Sequence, residues 1–257
     1  MKDILSVAIE AALRAGGILR DNIHGMREIT LKGDINLVTE MDMRSEQAVV
    51  ETLLASFPGH GIIAEEGTRV LNGSGFTWII DPLDGTTNYA HGYPCFSVSI
   101  ALEQEDEIVL GVVYDPMRDE LFTAQKEKGA FLNGKPIMVS GVDTLIKSLL
   151  ATGFPYDRKL SEKNNLDHFH DLLMASQEVR RDGSAALDLC SVASGRFDGF
   201  WELKLKPWDV AAGSLIVREA GGRISDFSGK KFSINDDEVL ASNGKIHGLM
   251  VEILRCR

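Results

Sequence analysis

Cysteine is scarce: Cys95, Cys190 and Cys256 are the only three in 257 residues. Widely separated and odd in number, they supply neither a disulfide framework nor a Cys-x-x-Cys metal pair. A reducing compartment follows as the expectation. Long apolar runs are missing too, so no segment reads as spanning a bilayer. The amino-terminal stretch carries Asp3 and Glu10 among its apolar residues, unlike the unbroken apolar core of a signal peptide. A cytoplasmic protein is therefore expected. Basic charge is also in short supply, with 27 Lys and Arg against 38 Asp and Glu, a net charge of -11 and a pI near 5.0. That balance argues against the clustered cations a broad nucleic-acid footprint requires. Neither a Gly-x-Ser-x-Gly elbow nor a Walker-type loop is present, which sets aside serine-nucleophile and nucleotide-loop chemistry. The six histidines are scattered, and His168 and His170 fall on different faces of an expected helix, so no zinc site emerges.

What is present is an ordinary globular composition, 44% hydrophobic and 25% charged, with enough length for a substantial core. Ile4, Ala8, Ala11, Ala15, Ile18 and Leu19 recur at helical spacing up to about Asn22. After a polar loop from Lys32 to Asn36, a second helix is expected from about Thr39 to Phe57, stopped by Pro58 and Gly59. Short β-branched and aromatic runs follow at 61–64, 76–80, 96–102, 108–114 and 120–124, which read as a largely antiparallel sheet, with Asn133-Gly134 marking a tight turn. From Leu149 onward, strands (LLAT, RFDGFWE, GRISDF, VLASN) alternate with helices near 160–174, 184–194, 208–220 and 245–254, an α/β pattern. With no repeat or linker in view, the chain reads as one catalytic domain, 1–257, with two lobes of about 1–140 and 141–257.

The most informative stretch is WIIDPLDGTTNYAHG, residues 78–92. A buried strand delivers Asp81 at its carboxyl end, and Pro82 takes the backbone out of regular pairing so that Asp84 returns beside it. Two facing carboxylates repel unless a cation lies between them, and the Leu83 carbonyl would add a hard oxygen ligand. Gly85, Thr86, Thr87 and Asn88 then open a short helix whose free amides can seat an anion. Carboxylates for a divalent ion next to amides for an anion is what phosphoryl chemistry requires. Other acidic residues keep two readings. Glu65 and Glu66 end a strand and are either site carboxylates or a solvated turn. Asp42 is either drawn to the cluster or simply favourable to its helix dipole. In KPWDVAAGSLIVREAGG, 206–222, Asp209 is a site residue or a helix cap. There the small residues Ala211, Ala212 and Gly213 suggest a close neighbour. RRDGSAALDL, 180–189, offers the Gly183 and Ser184 amides beside Arg180 and Arg181.

Taken together, WIIDPLDGTTNYAHGYP, WDVAAGSLIVREAGG and the Glu65-Glu66 pair resemble the inositol monophosphatase family, and the likeness extends from AGGILR to GRFDGFWE. It implies the layered αβαβα sandwich shared with fructose-1,6-bisphosphatase, a homodimer, and lithium-sensitive, magnesium-dependent hydrolysis of a small phosphate monoester by metal-activated water. By position, Glu65, Asp81 and the Leu83 carbonyl would hold one ion and Asp81, Asp84 and Asp209 a second. A weaker third would lean on Glu65, and manganese is the alternative metal. Thr86 would orient the nucleophilic water with help from Asp42, and the Gly85 and Thr86 amides would grip phosphate. Glu202 would contact the alcohol's hydroxyls, with Gly183, Ser184 and Ala185 as the wall of that pocket. Lys32 would belong to a loop closing over the metals. The segment GFPYDR, 153–158, varies among relatives and leaves the alcohol open among inositol phosphate, fructose 1,6-bisphosphate, histidinol phosphate and a 3'-phosphoadenosine nucleotide. A scaffolding role in a transcription or RNA complex is the reading from another class.

Overall fold

The computed structural model describes residues 3–24, 29–31 and 37–255; Lys32 and its loop lie outside them, as does Cys256. Helix α1 (Ile4–Asn22) begins where the Asp3 carboxylate accepts the Ser6 N–H, and its Val7, Ala8, Ala11, Ala15 and Leu19 form one buried stripe. An antiparallel pair, β1 (Ile29–Leu31) and β2 (Leu37–Thr39), leads into α2 (Glu40–Ser56), one residue from the start expected of Thr39. Arg14 ties the two helices together through Glu51 at 3.0 Å.

The larger sheet is built from β3 (Gly61–Ala64), β4 (Arg69–Val70), β5 (Phe76–Asp84), β6 (Ser97–Gln104), β7 (Glu107–Asp115), β8 (Glu120–Gln125), β9 (Ala130–Leu132) and β10 (Lys135–Pro136), with the short helix α3 (Thr86–Ala90) after β5. Its order is β10-β9-β8-β7-β6-β5-β3-β4, and every pairing is antiparallel except β3 with β5. Asn133 and Gly134 join β9 to β10 with φ of 48° and 74°, the positive pair a tight hairpin turn demands. The smaller sheet contains β11 (Leu149–Thr152), β12 (Glu178–Arg180), β13 (Gly199–Leu203), β14 (Arg223–Ser225) and β15 (Glu238–Ser242) in the order β12-β11-β13-β15-β14. Its helices are α4 (Leu166–Ala175), α5 (Ala185–Ala193), α6 (Pro207–Glu219) and α7 (His247–Leu254).

Alternation along the strands sorts side chains into layers. Trp78, Ile80, Leu110 and Val112 face α1 and α2, whereas Ile79 and Val113 face α5 and α6. On the smaller sheet Phe200 and Ala241 meet that same middle helix pair, while Trp201 and Leu240 pack outward with Leu172 of α4 and Met250 of α7. The result is the expected five-layer αβαβα sandwich. Contact between α6 and the larger sheet is close. A Cβ on Gly111 would lie 2.8 Å from the Ala212 carbonyl oxygen, and one on Gly213 would lie 2.6 Å from Leu189. The small residues of α6 are thus explained. Among the described residues no helix is long and apolar enough to cross a membrane.

Several elements differ from expectation. The strand expected to stop at Ile80 continues to Asp84 through a register shift: Asp81 opposes Ser99 and Asp84 opposes Ser97, so one extra residue bulges out. Helix α4 starts at Leu166, not near 160, because Asn165 has φ 71°, outside the helical region. The short strands β1, β2, β4 and β12 were not foreseen; segments of two or three residues carry little periodicity.

Candidate active site

The bulge in β5 places Asp81, Leu83 and Asp84 at one end of the larger sheet, on the wall of a cavity of about 810 Å³. Asp81 is 1% exposed and its Oδ1 accepts the Leu83 N–H at 3.0 Å. The Pro82 carbonyl, freed from the ladder, accepts the Ser45 hydroxyl at 2.6 Å, which anchors the bulge to α2. Gly85 follows with φ 100°, and a Cβ there would meet the Cys95 carbonyl oxygen at 2.9 Å, so only glycine fits this turn. Thr86 Oγ1 lies 3.1 Å from the Leu83 carbonyl and 3.3 Å from Asp42 Oδ1. Its single hydroxyl proton serves one acceptor at a time. Asp42 is fully buried behind it and is not part of the cavity lining.

Residues from 152 onward contribute the opposing wall. Asp209 stands in the first turn of α6, where its Oδ2 accepts the Lys206 N–H at 2.7 Å. It is therefore a cap, yet it also belongs to the cluster, lining the cavity together with Asp81. Ser184 and Ala185 at the start of α5 line the cavity, as does Gly183. Here the anion seated on the helix amides belongs to the protein itself, since Asp84 Oδ2 accepts both the Ser184 hydroxyl at 2.5 Å and the Ala186 N–H at 2.8 Å. Asn88 closes the seam, its amide donating to the carbonyls of Cys95 and Asp182, each at 2.7 Å.

Burial and mutual repulsion mark these carboxyls. Asp81 is pushed well above the ordinary range by burial and then by Glu65, Asp84 and Asp209. Burial lifts Asp84 to about 6 against the pull of Ser184 and the α5 amides. Asp209 is raised to about 8 by burial and by Asp84. Glu202 also stands at about 8 through burial, with Arg181 opposing.

Several positions were not singled out from the sequence. Glu46 is 5% exposed and accepts the N–H groups of Glu66 at 2.7 Å and Thr68 at 3.1 Å, holding the turn that carries Glu65. Its spacing of four from Asp42 on α2 was the available signal. The Glu66 backbone N–H is thus held by Glu46. Asp188 lines the cavity with Oδ1 buried and without a hydrogen-bond partner, and burial raises its carboxyl well above the ordinary range.

Glu65, Asp81, Asp84 and Asp209 therefore converge from β3, β5 and α6 upon one cavity. Among the described residues no group of three or more His, Cys, Asp or Glu side chains stands arranged to hold a metal ion. The donor set nonetheless suits a hard divalent cation: all oxygen, buried or half-buried, with the three aspartates raised in proton affinity by burial. A model of the inositol monophosphatase family matches residues 1–257.

The chain belongs to the inositol monophosphatase family. As a member it is a phosphatase, a phosphoric monoester hydrolase. Inositol-1-monophosphatase of Synechocystis sp. is 47% identical over 95% of this chain and 85% of that protein. The Nus factor SuhB of Pseudomonas aeruginosa is 43% identical over 95% of this chain and 93% of its own length. The solved structure of inositol monophosphatase from Anabaena (Nostoc) sp. superimposes with a TM-score of 0.90 at 43% identity, covering 98% of this chain and 95% of that one.

Proposed function

We propose that this inositol monophosphatase family member hydrolyses myo-inositol monophosphate to inositol and phosphate with magnesium as its metal. One observation carries the reading: acidic side chains from both lobes gather in a single cavity, beside the amides that open α3. Glu65, Asp81 and the Leu83 carbonyl would hold one ion, Asp81, Asp84 and Asp209 a second, and Glu65 would support a weaker third. Such ions neutralise phosphate charge, acidify water and stabilise the departing alkoxide. The Gly85 and Thr86 amides bind the phosphate oxygens in this reading, at the positive end of the helix. The Thr86 hydroxyl, held between Asp42 and the Leu83 carbonyl, orients the attacking water. Glu202, on the opposite wall, accepts hydrogen bonds from the hydroxyls of the alcohol. Lithium sensitivity, a homodimer and a cytoplasmic setting belong to the same proposal, with manganese as the alternative metal.

The test is phosphate release from inositol 1-phosphate, fructose 1,6-bisphosphate, histidinol phosphate and 3'-phosphoadenosine 5'-phosphate, with magnesium, with chelator and with lithium. Fastest magnesium-dependent release from the inositol ester is expected; preference for another ester overturns the substrate, and undiminished activity in chelator overturns the metal. A second reading, a role in a transcription or RNA complex, rests on the relative named a Nus factor. The net charge of -11 disfavours direct nucleic-acid contact within it. Absence of phosphate release from any of the esters, with a stable macromolecular partner instead, would favour that reading.

A further inference from the structure

The segment 153–165, whose residues 153–158 form one lip of the cavity, leaves the smaller sheet at the end of β11 and returns to it at Asn165, just before α4. Asn165 is 2% exposed, and all its side-chain hydrogen-bonding groups are used. One amide proton goes to Thr152 Oγ1 at 2.9 Å and the other to the Gly153 carbonyl at 2.7 Å, while its Oδ1 accepts the Trp201 indole N–H at 2.9 Å. Thr152 extends the connection, its hydroxyl donating to the Trp201 carbonyl at 2.6 Å. Strand pairing ends one residue earlier, at Thr152 with Trp201, so the Gly153 carbonyl is held by Asn165 and not by the ladder. Gly153 is in turn the surface against which Glu202 rests. A Cβ at Gly153 would fall 2.2 Å from Glu202 Oε1 and 2.3 Å from Oε2. Any drift of this backbone therefore moves that carboxyl. Farther along the segment, Lys204 grips Asp157 at 2.7 Å and Ser161 at 2.8 Å, and Phe154 stacks edge-on against Phe169.

We propose that Asn165 is a positioning residue for the alcohol side of the reaction: by clasping the two ends of the 153–165 segment it holds Gly153 against Glu202 and so sets selectivity for hydroxyl-bearing leaving groups. This inference rests on Glu202 as the contact to the alcohol. Asn165 touches no reacting atom. A fully satisfied buried network has one arrangement, and removing a member leaves its partners without mates.

The experiment compares two esters cleaved by the magnesium-loaded enzyme, inositol 1-phosphate and p-nitrophenyl phosphate, whose leaving group has no hydroxyls to recognise. Asn165→Gly removes the clasp without straining the left-handed backbone, given φ 71°. Thr152→Val breaks the network at a second point with little change in volume and keeps the idea testable if the first variant folds poorly; Thr152→Ser restores the hydroxyl. Expected is a fall of at least about tenfold in kcat/KM for inositol 1-phosphate, mostly in KM. For p-nitrophenyl phosphate the change stays within about twofold. In a Glu202→Ala background, Asn165→Gly adds nothing further to the loss. Equal losses on both esters, no loss on either, or full additivity with Glu202→Ala overturns the role. If wild type cleaves p-nitrophenyl phosphate but not the inositol ester, the substrate reading fails instead, and the comparison is repeated with whichever hydroxylated ester the wild type does cleave.

Discussion

Replacing Asp84 with Asn should inactivate the enzyme and stabilise the metal-free fold at the same time. The side chain is buried, with Oδ2 on the Ser184 hydroxyl and the Ala186 N–H, and an amide oxygen can accept both bonds in the same place. Burial raises the carboxyl from 3.8 to about 6. Between these values the folded protein holds a proton that the unfolded chain has released, so stability falls as pH rises through this window and stays lowered above it. A rise of two units corresponds to about 3 kcal/mol at neutral pH, an order-of-magnitude figure for one group. In chelator at pH 7.5 Asp84→Asn should therefore melt above wild type by ~5 °C or more, given a few degrees per kcal/mol at this chain length. The advantage should disappear near pH 4. With magnesium, turnover should drop by at least about a hundredfold, the loss seen when a charge-stabilising group is deleted from an active site. Calorimetric melts at the two pH values and a phosphate-release assay measure both halves. A variant that melts no higher than wild type in chelator, or one that keeps its activity, refutes this account of the cluster.

Two further outcomes follow from packing and burial. Gly111→Ala puts a methyl 2.8 Å from the Ala212 carbonyl oxygen, which should cost about 1–3 kcal/mol. Because Asp209 sits one turn before Ala212 on α6, turnover should also fall about tenfold, and steady-state kinetics on the folded variant checks it. His247 is buried between the Ser225 and Ser242 hydroxyls at 2.8 and 2.9 Å, and burial lowers it from 6.5 to about 4. The unfolded chain binds the proton first as pH falls, so wild type should lose about 2 kcal/mol relative to His247→Gln between pH 7 and 4.5, allowing for partial screening. Urea midpoints for both proteins at the two pH values measure it; a pH-independent difference would contradict the assignment.

Much of the site was legible because its chemistry is local in sequence. Asp81, Pro82, Asp84 and Gly85 lie within five positions, and the bulge they create is written in the proline and the glycine. Asp209 could be read only as cap or ligand from its own segment; its place in the cavity with Asp81 brings α6 to the end of β5 and has no local trace. The same holds for Glu46, whose partners Glu66 and Thr68 are 20 and 22 residues away, and for Asn165, 36 residues from Trp201. A lone Asn before a helix reads as a turn residue, and only tertiary packing distinguishes a clasp from a turn. Helix α4 was expected too early for the same reason, as its start depends on that left-handed asparagine. The order of layers was accessible through the resemblance and through alternation along the strands, as Trp78 against Ile79 illustrates.

The cavity draws its walls from two separate sheets, with Gly85 and Thr86 carried on the larger and Gly153 and Glu202 on the smaller. If the proposed roles hold, recognition of the two halves of an ester is divided between separate stretches of chain. On the proposed reading, changes confined to the cavity wall near β11 and β13 would exchange one departing alcohol for another, while the segment that would meet the phosphorus lies some seventy residues upstream of Gly153.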